Sequence, residues 1–200
     1  MNTETLLFSL PAGDDLLRGS FNDVGESAGI VFVPRASADA GDAAFIDAFN
    51  GAGLSTFSVG LLSAREEGFS DVQDNVPLLA KRLLDFIDHL KRHLARDLRQ
   101  RMAIYAEGAA SPAALRAAAE RDNDIAALVC RGGLIDRAGS LYLDALDSRL
   151  LFIADTDDAA CLASAERAFA RIPCEKETAR IDADDAVARK AIEWFQGAED

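Results

Sequence analysis

Short runs of β-forming residues alternate with helical runs along most of the chain. Residues 6–10 and 16–21 are apolar segments separated by Pro11-Ala12-Gly13-Asp14, which predicts an opening hairpin. Further strands are predicted at residues 29–34, 54–59, 103–106, 125–130, 150–154 and 177–181. A continuous apolar run such as 29–34 is typical of a strand that is buried on both faces.

Apolar residues recur at helical spacing between these strands. Helices are predicted at residues 40–52, 75–98, 112–120, 159–170 and 185–195, and residues 63–74 are predicted to form a polar loop. This alternation indicates βαβ units with helices on both faces of a mostly parallel sheet. We therefore expect a single α/β domain over residues 1–200, with an antiparallel N-terminal hairpin and no large lid domain.

The composition is that of an acidic globular protein. Half of the 200 residues are hydrophobic, and the formal net charge is −13. This charge argues against a nucleic-acid partner, because phosphate contacts require concentrated Lys and Arg. The N-terminus has no basic segment followed by an apolar core, and no apolar run approaches the roughly 18 residues of a membrane span. We expect a cytoplasmic protein with no membrane association.

Positive charge is concentrated in one stretch that overlaps a predicted helix. The residues are Lys81, Arg82, Lys91, Arg92, Arg96, Arg99 and Arg101. We expect a solvated helix face, with cations favoured near the C-terminal end of the helix by its dipole. The alternative is a docking patch for an acidic partner.

The residues that commonly bind metals or form disulfides show no strong pattern. Cys130, Cys161 and Cys174 are odd in number and lack CxxC spacing, which favours buried reduced thiols in a cytoplasmic protein. His89 and His93 have a spacing that fits zinc but lack a third ligand in pattern, so we expect surface histidines. No metal or cofactor is expected.

Three carboxylates follow the predicted strand 150–154. Asp155, Asp157 and Asp158 are expected to cap the next helix and face water, since carboxylates are favoured at helix N-termini. A metal site is the alternative.

Residues 102–112 have the layout of a nucleophile elbow. An apolar strand leads through Ala106, Gly108 and Ala110 into an Ala-rich helix. In such an elbow a small-x-Ser-x-small turn lifts a serine above the sheet. Here the central position is glycine, which has no side chain that could attack a substrate.

Several blocks resemble those of a bacterial family of small α/β-hydrolase proteins related to dienelactone hydrolases. Residues 75–84, NVPLLAKRLL, resemble the family's D-I-P-L-L-A-x-R-L-L helix start. Residues 129–133, VCRGG, are similar to the strand end in V-x-S-R-G-G-R-P-D-L-A-G, and residues 150–157, LLFIADTD, are similar to the acid strand L-L-I-V-G-G-N-D. Residues 172–176 match the turn before the last strand. The resemblance implies an α/β-hydrolase fold.

The resemblance also implies that the catalytic triad is degenerate. The family's serine falls on Gly108, and the triad acid falls on Asp157. The histidine belongs in a loop before the last helix, but residues 181–186 run directly into that helix without one. The oxyanion segment A-H-G-S-G corresponds to residues 33–37, where Pro34 and Arg35 stand instead of histidine and glycine.

Two other residues are candidate nucleophiles. Ser111 also lies in a small-x-Ser-x-small segment, but Ser followed by Pro112 is a good signature of a helix N-cap and first turn. Glu107 is a candidate carboxylate nucleophile, although strand alternation is expected to turn it away from a pocket. We expect capping for Ser111 and no catalytic role for Glu107.

Arg131 and Gly132 follow a buried strand, at the edge of the sheet where ligands bind in such folds. A cationic side chain with flexible backbone amides could hold an anionic group. We expect instead that Arg131 pairs with Asp136 or Asp157 and stabilises the loops, and the anion site is the alternative.

These observations predict a non-catalytic homologue that binds a small molecule or a protein partner, with a homodimer as a further expectation. The candidate ligand-binding residues are Pro34, Arg35, Gly108, Arg131, Gly132 and Asp157. The alternative function is hydrolysis of small esters or lactones with displaced catalytic residues, Ser111 or Glu107.

Overall fold

A computed structural model describes residues 4–38, 43–93, 102–121 and 123–197. The strands in these ranges form one sheet in the order β1-β2-β4-β3-β5-β6-β7-β8. β1 and β2 form an antiparallel hairpin, and β2 pairs antiparallel with β4. The six strands β3 to β8 run parallel to one another. The parallel strands therefore end together at one edge of the sheet.

The strands are β1 Glu4–Ala12, β2 Asp15–Asp23, β3 Gly29–Arg35, β4 Leu54–Gly60, β5 Met102–Glu107, β6 Ile125–Arg131, β7 Arg149–Ala154 and β8 Lys176–Arg180. The helices are α1 Ala43–Gly51, α2 Ser70–Gln73, α3 Val76–His93, α4 Ala110–Glu120, α5 Ser140–Ala145, α6 Ala159–Phe169 and α7 Asp184–Gln196. Short 3₁₀ turns occupy Glu66–Gly68 and Ile135–Ala138. No helix in the described ranges has the length and apolar character that a membrane span requires.

Helices cover both faces of the sheet, because alternate strand residues point to opposite sides. In β5, Ile104 and Ala106 belong to the core beneath α3–α6, whereas Ala103 and Tyr105 belong to the core beneath α1 and α7. Phe57 of β4 lies at the centre of an aromatic cluster on the first side. The two cores account for the continuous apolar runs of the central strands.

The predicted order of strands and helices is confirmed, with three differences. Residues 63–74 form a 3₁₀ turn and α2 instead of a loop, and α5 was not predicted. α4 begins at Ala110, two residues before its predicted start. Residues 40–42 of the helix predicted at 40–52, and residues 94–98 of the helix predicted at 75–98, lie outside the described residues. Arg96, Arg99 and Arg101 also lie outside them.

One cation of the basic stretch is buried. The Arg82 guanidinium donates hydrogen bonds of 2.8 Å to both carboxylate oxygens of Glu66 and to the carbonyl oxygen of Leu61. The Ser63 N–H also donates to Glu66, at 2.9 Å. The hydrogen bond from Arg82 is the main cause that lowers the pKa of Glu66 from 4.5 to about 2. This ion pair fastens the segment after β4 to α3, so Arg82 is not part of a solvated face.

We expect Glu66→Gln to lower the free energy of unfolding by about 2–4 kcal/mol at neutral pH, because Arg82 would remain buried without a counter-charge. Urea denaturation measures this. The control is Asp85→Asn, which removes an exposed ion pair to Lys81 on the same helix and should cost about 0.5 kcal/mol or less.

The effect of Glu66→Gln should depend on pH. Since folding lowers the pKa of Glu66, its contribution is complete above 4.5 and is lost as the pH falls towards 2. The difference between wild type and Glu66→Gln should therefore shrink on acidification. A difference that does not change over this range would contradict the assigned role of the pair.

Candidate functional site

The chain turns sharply at Gly108, between β5 and α4. Gly108 has φ +53°, a left-handed conformation that side-chain-bearing residues adopt only with strain. Its N–H donates a 2.9 Å hydrogen bond to the carbonyl oxygen of Arg131. The residue is exposed, and a Cβ built on it would meet no atom within 4 Å. The position thus has the geometry of a nucleophile elbow, and space for a side chain, but no side chain.

The turn after β6 packs directly against this elbow. Gly133 has φ +82°, and a Cβ built on it would lie only 2.1 Å from the carbonyl oxygen of Gly108. A contact this short with backbone cannot be relieved by a side-chain rotation. Glycine at position 133 is therefore required for the two turns to approach each other.

Arg131, the last residue of β6, is surrounded by carboxylates. Its guanidinium lies 2.7 Å from Asp184, 3.5 Å from Glu107 and 3.8 Å from Asp155. The Tyr105 hydroxyl donates a 2.6 Å hydrogen bond to Glu107. Burial, together with the negative charge of Glu107, raises the pKa of Tyr105, so the phenol stays protonated. Tyr105, Glu107, Arg131 and Asp184 form a continuous polar chain, which we call the Arg131 network.

A small cavity of about 170 Å³ opens beside this network. It is lined by Glu107, Arg131, Gly132, Asp155 and Asp158. Three carboxylates and one guanidinium give the lining an excess of negative charge. The charge of Arg131 is neutralised by its own neighbours, which disfavours the capture of an anionic ligand there.

The structure revises two expectations for these residues. Glu107 shares the face of β5 with Tyr105, as strand alternation requires, yet it lines the cavity, so the prediction that it turns away is wrong. Arg131 pairs with carboxylates, as expected, but its partners are Glu107, Asp155 and Asp184 rather than Asp136 or Asp157. Asp136 instead accepts hydrogen bonds from Arg167 at 2.7 Å and from Ser164 at 2.6 Å.

Ser111 does not cap α4. The helix starts at Ala110 and is preceded by Ala109, so Ser111 lies inside the first turn and the prediction of an N-cap is wrong. The Ser111 side chain is completely buried, and its hydroxyl lies 3.4 Å from the carbonyl oxygen of Ala106. The elbow begins the helix earlier than the Ser-Pro signature indicates.

The other candidate residues lie at the same edge of the sheet. Pro34 is buried near the end of β3, and the carbonyl oxygen of Arg35 accepts a hydrogen bond from Leu61 N–H at 2.9 Å. Asp157 is exposed and follows β7. Pro34, Arg35 and Asp157 are not among the described residues that line the cavity. The capping prediction is confirmed for Asp158, which accepts a 3.0 Å hydrogen bond from Cys161 N–H.

Solved structures of the same architecture include a dienelactone hydrolase and several esterases. The chain superposes on a dienelactone hydrolase from Anabaena variabilis with a TM-score of 0.86 and 26% identity, covering 98% of both chains. The chain belongs to the α/β-hydrolase superfamily. No protein-family model matches it, and no curated protein matches it by sequence.

Two esterases share the fold at lower identity. Est1E from Butyrivibrio proteoclasticus has a TM-score of 0.74 at 11% identity, with 96% of this chain and 98% of that chain covered. A cold-adapted esterase from an Arctic intertidal metagenomic library has a TM-score of 0.77 at 11% identity, with 98% and 94% covered. The fold is thus that of the α/β-hydrolases over nearly the whole chain.

The loop before α7 of this α/β-hydrolase-fold protein carries aspartates that are already engaged. Asp182 accepts hydrogen bonds from the N–H and the hydroxyl of Thr156, at 2.7 Å and 2.9 Å. These bonds lower the pKa of Asp182. Asp184 is the partner of Arg131. The resemblance places a histidine in this segment. Its carboxylates instead bind Thr156, which follows β7, and Arg131, which ends β6.

The thiols and the described histidine lie in ordinary packed environments. All three cysteines are free; Cys130 and Cys161 are buried as predicted, whereas Cys174 is only half-buried. Burial raises the pKa of Cys130 to about 12 and that of Cys161 to about 11, so neither is an activated thiolate. His89 is half-buried, with its ring edge-on to Phe8 at 5.5 Å. The side chain of His93 lies outside the described residues.

Among the residues that the structure describes, no group of three His, Cys, Asp or Glu side chains is arranged to hold a metal ion.

Sequence reasoning missed Tyr105 and Asp184 as members of the Arg131 network. The spacing of Tyr105 and Glu107 on one strand could have indicated the first, because residues two apart share a face. No local signal links Asp184 to Arg131.

A Gly→Ala substitution should destabilise the protein at both turns, but by different amounts. Gly133→Ala should lower the free energy of unfolding by about 3 kcal/mol or more, because its Cβ would collide with the Gly108 carbonyl. Gly108→Ala, also at positive φ but with open space, should cost about 1 kcal/mol through backbone strain alone. Urea denaturation of both variants measures the difference. Equal costs would show that the turns do not pack as described.

Proposed function

We propose that this chain is a non-catalytic α/β-hydrolase-fold protein that binds a small-molecule ligand. The observation that carries the proposal is Gly108, which has the elbow conformation without a side chain. A serine hydrolase needs a nucleophile, a base and oxyanion donors, and removal of one triad member already costs several orders of magnitude in rate. The fold can keep its binding geometry while the reactive groups are absent.

The environment of Ser111 argues against a displaced nucleophile. A nucleophilic hydroxyl must be reachable by substrate and close to a base. The Ser111 hydroxyl is completely buried, and its partner in the structure is the Ala106 carbonyl oxygen, which cannot accept a proton in catalysis. The neighbouring Cys130 thiol lies 3.8 Å from the Ser111 carbonyl oxygen, which adds to the close packing.

Glu107 is similarly engaged in structural contacts. Its carboxylate accepts the Tyr105 hydroxyl and lies close to Arg131. Both contacts stabilise the carboxylate and reduce its tendency to attack a substrate. The chain offers only two histidines as conventional bases, and both belong to α3, where His89 packs against Phe8. These contacts support a binding role over hydrolysis.

The proposal includes a cytoplasmic location, which the three free thiols support. A protein partner, including a second copy of this chain, is the alternative occupant. A hydrolase of small esters or lactones that uses Ser111 or Glu107 is the competing function.

We expect purified protein to hydrolyse short-chain p-nitrophenyl esters no faster than buffer. Gly108→Ser should also be inactive, because the side chain fits at the elbow but both histidines of the chain belong to α3, not to the turns at the elbow. A plate assay of initial rates over an ester panel measures this, with circular dichroism to establish that each variant is folded.

Two variants identify the competing hydrolase. Wild-type turnover that disappears in Ser111→Ala, or in Glu107→Gln, would show a working enzyme with a displaced nucleophile. Efficient turnover by Gly108→Ser alone would show that a base is present after all. Either result would overturn the proposed non-catalytic role.

A further inference from the structure

A large apolar groove runs between α1 and α7, on the face of the sheet opposite to α3–α6. Its volume is about 490 Å³. The apolar part of its lining consists of Ala44, Phe45, Ala48, Ala188 and Ile192. Ligand pockets of roughly 300–1,000 Å³ with apolar linings are the usual size for drug-sized molecules. Gly108 does not line the groove, so it is distinct from the elbow.

The groove exists because small side chains stand where the two helices face each other. Ala44, Ala48 and Ala188 leave space that larger residues would fill. The buried Phe45 ring, which lines the groove, stacks on Tyr105 with centroids 4.9 Å apart. A preformed apolar groove binds a ligand at a smaller cost of ordering the protein than one that must first form.

The charged residues of the groove are paired with each other or with the Arg131 network. Asp184 lies 2.7 Å from Arg131, and Asp185 lies 3.3 Å from Arg189. Each charged residue that lines the described part of the groove thus has a partner of opposite sign. These three charged side chains are 67–82% exposed and lie largely in solvent, whereas the buried and half-buried part of the lining is apolar. An ionic head group that entered the apolar part would lose its hydration without meeting a counter-charge, which is costly.

We propose that this groove binds a neutral, elongated, predominantly hydrocarbon small molecule. The inference deepens the proposed function and rests on its binding role, since it names the place and the chemical class of the ligand. A ligand there would contact Phe45, whose ring lies 5.9 Å from the Arg131 guanidinium. It would therefore lie behind the Arg131 network and outside the cavity at the strand ends.

The test compares three ligands with the same chain and different head groups: 1-octanol, octanoate and octylammonium. We expect 1-octanol to bind, and both ions to bind at least about tenfold more weakly, because neither head group finds a free counter-charge. Isothermal titration calorimetry gives the affinities. Methyl chemical shifts of Ala44, Ala48, Ala188 and Ile192 report the site. Equal affinities for all three ligands, or no binding of 1-octanol, would overturn the proposal.

Substitutions that fill the groove give a second readout. Ala48→Leu should abolish 1-octanol binding, whereas Leu141→Ala, at an exposed apolar residue of α5, should leave it unchanged. If Ala48→Leu lowers the urea midpoint, the binding test uses Ala44→Leu instead, because Ala44 is exposed and its substitution disturbs the fold less. Binding that survives a filled groove, or that Leu141→Ala reduces equally, would show non-specific adsorption and overturn the assignment.

The oligomeric state distinguishes a second copy of the chain from a small ligand. A monomer by sedimentation supports the proposal. A dimer that Ile192→Glu dissociates would assign the groove to a self-interface and overturn it. Failure of this inference is separable from failure of the proposed function: ester turnover refutes only the non-catalytic role, and absent 1-octanol binding without ester turnover refutes only the groove assignment.

Discussion

The backbone contact between the turns after β5 and β6 fixes the geometry of the strand-end edge. Gly133 approaches the Gly108 carbonyl so closely that a Cβ would lie 2.1 Å from it. The Gly108 N–H simultaneously donates to the Arg131 carbonyl, so the two turns are tied by a hydrogen bond as well as by packing. Because α4 begins only two residues after Gly108, its exit from the sheet depends on the same contact. A side chain at position 133 would separate the ends of β5 and β6 and disturb every group placed on them.

The Arg131 network joins the strand ends to the helix that covers them. The Arg131 guanidinium contacts Glu107 of β5, Asp155 after β7 and Asp184 at the start of α7. Charges that are satisfied in this way stabilise the loops, and the guanidinium of Arg131 is taken up by its carboxylate neighbours. Asp184 therefore ties the start of α7 to the end of β6.

The order of elements was predictable because the periods of strands and helices are local properties of the sequence. The strand predicted at 29–34 and the strand predicted at 125–130 each match the structure to within one residue. The start of α4 was missed because Ser111-Pro112 is a plausible cap by itself, while the elbow starts the helix earlier and buries Ser111. The 3₁₀ turn at Glu66–Gly68 was missed because the Glu66 side chain is held there by Arg82, which is distant in sequence.

The sequence by itself determined the α/β class, the strand–turn–helix at residues 102–112 and the glycine at its centre, since each is encoded within a few neighbouring residues. Only the tertiary structure decided that Gly108 adopts a left-handed conformation against Gly133, that Ser111 is inaccessible and that Arg131 pairs with Asp184. The physical reason is that burial and charge pairing depend on which strand ends the sheet order brings together. Segments far apart along the chain supply those neighbours.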